Sequence, residues 1–151
     1  MKKKISSNKD VSKVSDLSNS INKIVVSRGN PFAKLMIIGE APGAKEEEVG
    51  EPFVGRSGKL LDKLLQNAGI DISQDVYFCN VVKCRPPKNR RPTKIEIQEN
   101  LPWLYQQIKL INPEIIALVG STALEAILKN KSPISILRGK WINWEGRLVM
   151  P

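Results

Sequence analysis

Three short apolar runs, each ending abruptly at glycine or a polar residue, most constrain how this chain folds. Leu35-Met36-Ile37-Ile38 stops at Gly39, Val76-Tyr77-Phe78 leads to Asn80 and then Val81-Val82, and Ile115-Ile116-Ala117-Leu118-Val119 stops at Gly120. Runs this short, with little polar alternation, predict strands buried on both faces. The segments between them change period. Leu60, Leu61, Leu64 and Leu65 recur at helical spacing with Gly69 placed to end the helix, and Ile97, Leu101, Leu104, Ile108 and Ile111 predict a second helix from about Ile95. Ser121 is read as the cap of a third helix through Leu124, Ile127 and Leu128, and Glu145-Gly146 as the turn of a hairpin from Trp141 to Met150. Strands alternating with helices predict an α/β fold, a three-layer α/β/α sandwich with a mainly parallel central sheet. Ligands of such sheets bind beyond the carboxyl ends of the strands, so Gly39 to Gly43, Asn80 to Cys84 and Gly120-Ser121 are expected on one rim.

The length of 151 residues suits one domain with a substantial core. Residues 1–20, rich in lysine and serine, are expected to form a basic mobile tail, and residues 21–151 the folded domain. No apolar run is long enough for a spanning helix, and Lys2, Lys3 and Lys4 precede no secretory signal, so no membrane partner is expected. Cys79 and Cys84 read as free thiols of a cytoplasmic protein, taken here as a monomer. The chain contains no histidine. Within these residues that excludes every mechanism built on an imidazole base or a histidine-ligated metal.

Lysine and arginine total 24 against 15 acids, a formal charge of +9. Such a surplus serves solubility as readily as binding, but its distribution is uneven. Lys83, Arg85, Lys88, Arg90, Arg91 and Lys94 fall in one acid-free stretch that also holds Pro86, Pro87 and Pro92. The prolines predict a stiff extended loop, which loses little entropy on gripping a polyanion, so phosphate-backbone binding is expected there.

The segment Gly39-Glu40-Ala41-Pro42-Gly43 directly follows the first strand. Taken alone it suits an ordinary strand-to-loop turn, or a turn whose backbone comes close to a ligand. Neither a dinucleotide fingerprint nor a nucleoside-triphosphate loop occurs. Glu46, Glu47 and Glu48, then Gly50-Glu51-Pro52-Phe53-Val54-Gly55, suit a pocket with carboxylates at its mouth and a flat ring for stacking, although Phe53 serves equally well as core. Asn80, an amide inside an apolar strand, must find partners in the backbone or in a ligand such as a pyrimidine edge.

These motifs, with Arg56-Ser57-Gly58-Lys59-Leu60-Leu61 after Gly55, Asn80-Val81-Val82-Lys83-Cys84-Arg85-Pro86-Pro87, and Asn89-Arg90, resemble family 4 of the uracil-DNA glycosylase superfamily. The likeness runs from about Ile24 to Pro151. It implies a base-excision repair hydrolase that flips uracil out of DNA and cleaves its N-glycosidic bond. It also implies that Gly39, Glu40, Ala41, Pro42, Gly43, Phe53 and Asn80 bind uracil, with Glu40 and Asn80 catalytic. Lys83, Arg85, Lys88, Arg90 and Arg91 would then hold uracil-containing DNA. The family carries a 4Fe-4S cluster on four cysteines, whose positions fall here on Ser12, Ser15, Cys84 and Asn100 or close by. With Cys84 the one matching ligand, no metal or other cofactor is expected. The family's pattern also continues past the equivalent of Pro151 into a His-Pro-Ser-Tyr-Leu-Leu-Arg-like motif that supplies a catalytic histidine. A domain lacking that motif, apparently truncated at its C-terminus, is expected to be impaired in activity, the alternative being a non-catalytic DNA-binding protein of the same fold.

Overall fold

The computed structural model describes residues 23–151; the expected tail, with Ser12 and Ser15, lies outside the described residues. The strands are β1 (Arg28–Gly29), β2 (Leu35–Gly39), β3 (Val76–Asn80), β4 (Ile115–Leu118), β5 (Ile142–Trp144) and β6 (Arg147–Met150). The helices are α1 (Ala44–Val49), α2 (Arg56–Asn67), α3 (Lys94–Ile111), α4 (Ser121–Leu128) and α5 (Ile134–Leu137). One sheet has the order β1-β3-β2-β4-β6-β5. Its four inner strands are parallel, and β1 and β5 pair antiparallel at the edges.

Side chains alternate across the sheet, and the two faces take different cover. Met36, Ile38, Tyr77, Cys79, Ile116 and Leu118 pack with Leu104 and Ile108 of α3 and with Ala123, Leu124 and Ile127 of α4. Ile37, Val76 and Phe78 face the other way, against Leu61 and Leu65 of α2. The three expected layers are therefore present. No helix of the described residues is long and apolar enough to cross a membrane.

Connections leave β2 toward β3 on one side and return to β4 on the other, so the strand order reverses at β2, the position beside which open α/β sheets take ligands beyond the carboxyl ends. Helix α3 is set by Thr93, which accepts the Glu96 N–H while Glu96 accepts the Thr93 N–H, and it ends at Asn112 in the left-handed region. The hairpin turns on Glu145 (φ 48°) and Gly146 (φ 77°), as their sequence predicts.

Three local expectations need correction. Asn80 ends β3 instead of lying inside it: the Val81 and Val82 N–H groups turn to the Gly39 and Glu40 carbonyls. Gly120, not Ser121, caps α4, because its φ of 95° is open to glycine alone. The proline-rich stretch is not extended throughout. Pro87–Asn89 form a short 3-10 turn with Lys88 and Asn89 at positive φ, and Lys94 already belongs to α3.

Candidate uracil site and nucleic-acid interface

Paired register places Gly39 beside Asn80, at the ends of β2 and β3. A Cβ added to Gly39 would lie 2.5 Å from Asn80 Oδ1 and 2.6 Å from Phe53 Cζ. Glycine turn, amide and ring therefore converge on one point of the rim, although they come from separate segments. Asn80 is only 4% exposed. Among the described residues no group hydrogen-bonds to its side-chain amide, yet the one buried polar side-chain atom without a partner is Arg147 Nε. The amide thus keeps a path to the open rim. Of the other turn residues, Pro42 is buried and Ala41 packs on the main core.

Phe53 has φ 57°, a costly backbone conformation for an aromatic residue, so its surroundings must impose it. Arg28 donates to the Pro52 carbonyl (2.8 Å) and the Phe53 carbonyl (3.2 Å), pairs with Asp62 (2.6 Å), and stacks 3.8 Å over the Phe78 ring. The Phe53 ring meets that of Phe78 at 5.6 Å. Gly58 lets the first turn of α2 press against the Phe53 carbonyl. The ring packs on the Ile37, Val76 and Phe78 cluster while its Cζ lies beside Gly39.

Glu40 accepts a short hydrogen bond from the buried Thr122 hydroxyl. Thr122 in turn accepts from Arg91 Nε (3.1 Å), and Arg91 pairs with Glu125 (3.2 Å). A carboxylate with one oxygen so fixed can present the other to a water or a sugar. Thr122 and Arg28 carry no distinctive local sequence signal, whereas Glu46 belongs to the acidic cluster that the sequence singles out.

The cationic stretch is not one exposed surface. Lys83, expected to contact DNA, is buried: its ammonium donates to the Asn80 carbonyl (2.6 Å) and to Gln107 Oε1. Burial lowers its pKa, and two oxygen acceptors hold the group inside where no phosphate reaches it. Arg85 pairs with Glu47 (3.1 Å) and donates to Asn89 Oδ1 (2.7 Å). Arg90 donates to both Glu96 oxygens at 2.8 and 2.7 Å and, chiefly through those bonds, holds that carboxyl down at about 2. Lys88 is exposed and forms no ion pair among the described residues. These pairs pin the loop between α1 and α4, across the rim. The acidic cluster is likewise spent internally: Glu46 accepts backbone N–H groups, and Glu48 pairs with Lys45.

The model of the uracil DNA glycosylase superfamily matches residues 26–151. The chain belongs to that superfamily. It is 45% identical over 130 residues to a type-4 uracil-DNA glycosylase of Thermotoga maritima, covering 85% of this chain and 67% of that one. A type-4 uracil-DNA glycosylase of Pyrobaculum aerophilum is 44% identical over 105 residues, 70% of this chain and 53% of that one. A DNA polymerase of Bacillus phage SP01 is 35% identical over 129 residues, 85% of this chain and 14% of that one. The chain thus spans about half to two thirds of the length of these curated glycosylases.

Of the four positions at which the family pattern implies cluster cysteines, Cys84 and Asn100 lie among the described residues of this superfamily member. Burial, and then neighbouring Glu47, push the Cys84 thiol up. Asn100 is committed elsewhere, its Oδ1 accepting the Lys83 N–H (3.0 Å) and its Nδ2 donating to the Glu96 carbonyl (2.8 Å). Among the described residues no three cysteine, histidine or acidic side chains gather. Cys79 is buried, and burial raises its thiol to about 11.

Proposed function

We propose that this chain recognises uracil in DNA and hydrolyses its N-glycosidic bond. The observation that carries the reading is the unpartnered Asn80 amide, meeting the Phe53 ring and the bare Cα of Gly39 at the mouth of the sheet. A side-chain amide offers one donor and one acceptor side by side, the complement of the O4 and N3–H edge of uracil. An aromatic ring supplies a stacking face, and a flipped base costs least when mispaired. As the bond breaks, negative charge moves onto the uracil; backbone N–H groups of the Gly39–Gly43 turn and the Asn80 amide are the donors available to it. Glu40, oriented by Thr122, directs the attacking water toward the sugar.

The test is a single-stranded oligonucleotide carrying one uracil, treated with alkali after incubation. Strand breakage at uracil and none at thymine is expected. Tight binding to either oligonucleotide with no breakage overturns the enzyme reading and favours a non-catalytic DNA-binding protein of the same fold. The same reading makes the protein a cytoplasmic monomer, in keeping with its two free thiols.

The phosphate grip is assigned to Lys88, Arg85, Arg90 and Arg91, with Lys83 left out. Affinity for duplex DNA should fall with salt, with about 0.9 of log–log slope for each phosphate contacted. Because three of the four are already engaged by acids or amides, Lys88→Ala should lower the slope by about one contact. An unchanged slope in that variant removes Lys88 from the interface.

The protein is further proposed to work without an iron–sulfur cluster, its Asn100 amide tying α3 to the Lys83 backbone where a thiolate would otherwise stand. Purified protein should be colourless and free of iron by elemental analysis. Brown protein with near-stoichiometric iron overturns this.

A further inference from the structure

The two walls of the candidate pocket are far from joined by the sheet. The Gly39–Gly43 turn continues from β2, whereas Phe53 lies in the loop between α1 and α2. One side chain spans them. Glu46 accepts the Gly43 N–H through Oε2 (3.2 Å) and the Gly55 N–H through Oε1 (2.8 Å). Its own carbonyl accepts the Gly50 N–H (2.7 Å), which closes α1 behind it. The short helix is therefore a bracket with a carboxylate clasp.

The two glycines report what the clasp needs. Gly43 (φ −92°, ψ −171°) and Gly55 (φ −75°, ψ −170°) have backbone conformations open to any residue. Neither is glycine for the sake of its backbone. A Cβ at Gly43 would sit 2.8 Å from Glu46 Oε2, and one at Gly55 would sit 2.9 Å from Oε1. Both positions are bare on the side where the carboxylate approaches. Gly55 also caps α2, whose N-terminal N–H groups favour a negative charge beside them.

We propose that Glu46 is a positioning residue for base recognition: by bridging the Gly43 and Gly55 amides it sets the separation between the glycine turn and the Phe53 ring. This rests on the uracil reading above and extends it to a residue that touches no base. Only a carboxylate suits the role. Glutamine has the same shape but one acceptor oxygen, and its amide nitrogen would face a backbone N–H, donor against donor.

The test compares Glu46→Gln and Gly55→Ala with the parent protein and with Glu48→Gln, an exposed acid on the same helix paired with Lys45. Two readouts are taken. The first is the ratio of affinities for uracil-containing and uracil-free oligonucleotides. Both clasp variants should lose about ten-fold of that ratio, as expected for a charged hydrogen bond, while binding to uracil-free DNA stays at the parent level. Glu48→Gln should match the parent. The second is amide hydrogen exchange, which needs no uracil: in Glu46→Gln at least one of the Gly43 and Gly55 amides, the one facing the new amide nitrogen, should exchange about ten-fold faster. Parent-like exchange at both amides overturns the clasp whatever the ligand. Faster exchange with an unchanged uracil ratio overturns the role in recognition. A parent protein with no uracil preference overturns the uracil reading, and the positioning role with it, before any variant is compared.

Discussion

Asn80→Ala should erase most of the preference for uracil-containing over uracil-free DNA and leave binding to uracil-free DNA unchanged. A base edge read by one amide is worth about 1–3 kcal/mol, by analogy with paired contacts in the DNA groove. The discrimination ratio should therefore fall roughly 5- to 150-fold. The two effects separate because the cationic loop lies apart from the amide and is anchored by its own acids, Glu47, Glu96 and Glu125. Stability should change little, since no described residue hydrogen-bonds to the amide and Lys83 holds the Asn80 backbone carbonyl, which alanine keeps. Competition binding with the two oligonucleotides and a thermal melt check both statements. A lower melting temperature with unchanged discrimination would make Asn80 a structural amide and remove the central element of the pocket.

The parts of this site legible in the sequence are those that local rules determine. An apolar run that stops at Gly39 announces a strand end, and parallel sheets carry their chemistry there, whereas Val81 and Val82 hide the end of β3 at Asn80. Phe53 was visible as an aromatic between a proline and a glycine turn. What stayed hidden depends on partners distant in the chain. Lys83 sits in a cationic run that suggests a surface position, but its ammonium finds the Gln107 side chain on α3, 24 residues away, and the Asn80 carbonyl. A run of charges shows nothing of which member turns inward. Thr122 meets Glu40 across 82 positions and Arg28 meets Phe53 across 25, and no periodicity encodes such pairs. The two-residue β1 is too short for any pattern. Serine is the commoner cap and points to Ser121, whereas the left-handed backbone at Gly120 makes glycine the decisive residue.

Gly58→Ala should lower both stability and uracil discrimination, although it adds a single methyl group. In a helix interior, replacing glycine by alanine ordinarily stabilises by about 0.5–1 kcal/mol, because glycine has more freedom to lose. Here the sign should reverse. Gly58 is buried in the first turn of α2, and a Cβ there would lie 2.0 Å from the Phe53 carbonyl oxygen and 2.2 Å from its carbon. Those are backbone atoms, so no side-chain rotation relieves the overlap. Either α2 retreats from Ile37, Val76 and Phe78, or the Phe53 peptide shifts and gives up its bond from Arg28. Overpacking of this kind costs about 1–3 kcal/mol and sometimes more. The Phe53 backbone holds positive φ only while Arg28 and α2 hold it, so relaxation should carry the ring out of register with Asn80 and Gly39. Melting temperature and uracil discrimination should therefore fall together in Gly58→Ala, in contrast to Asn80→Ala, where discrimination falls alone. A Gly58→Ala protein as stable as the parent, with its uracil preference intact, would show that the α2 contact neither fixes Phe53 nor shapes the pocket.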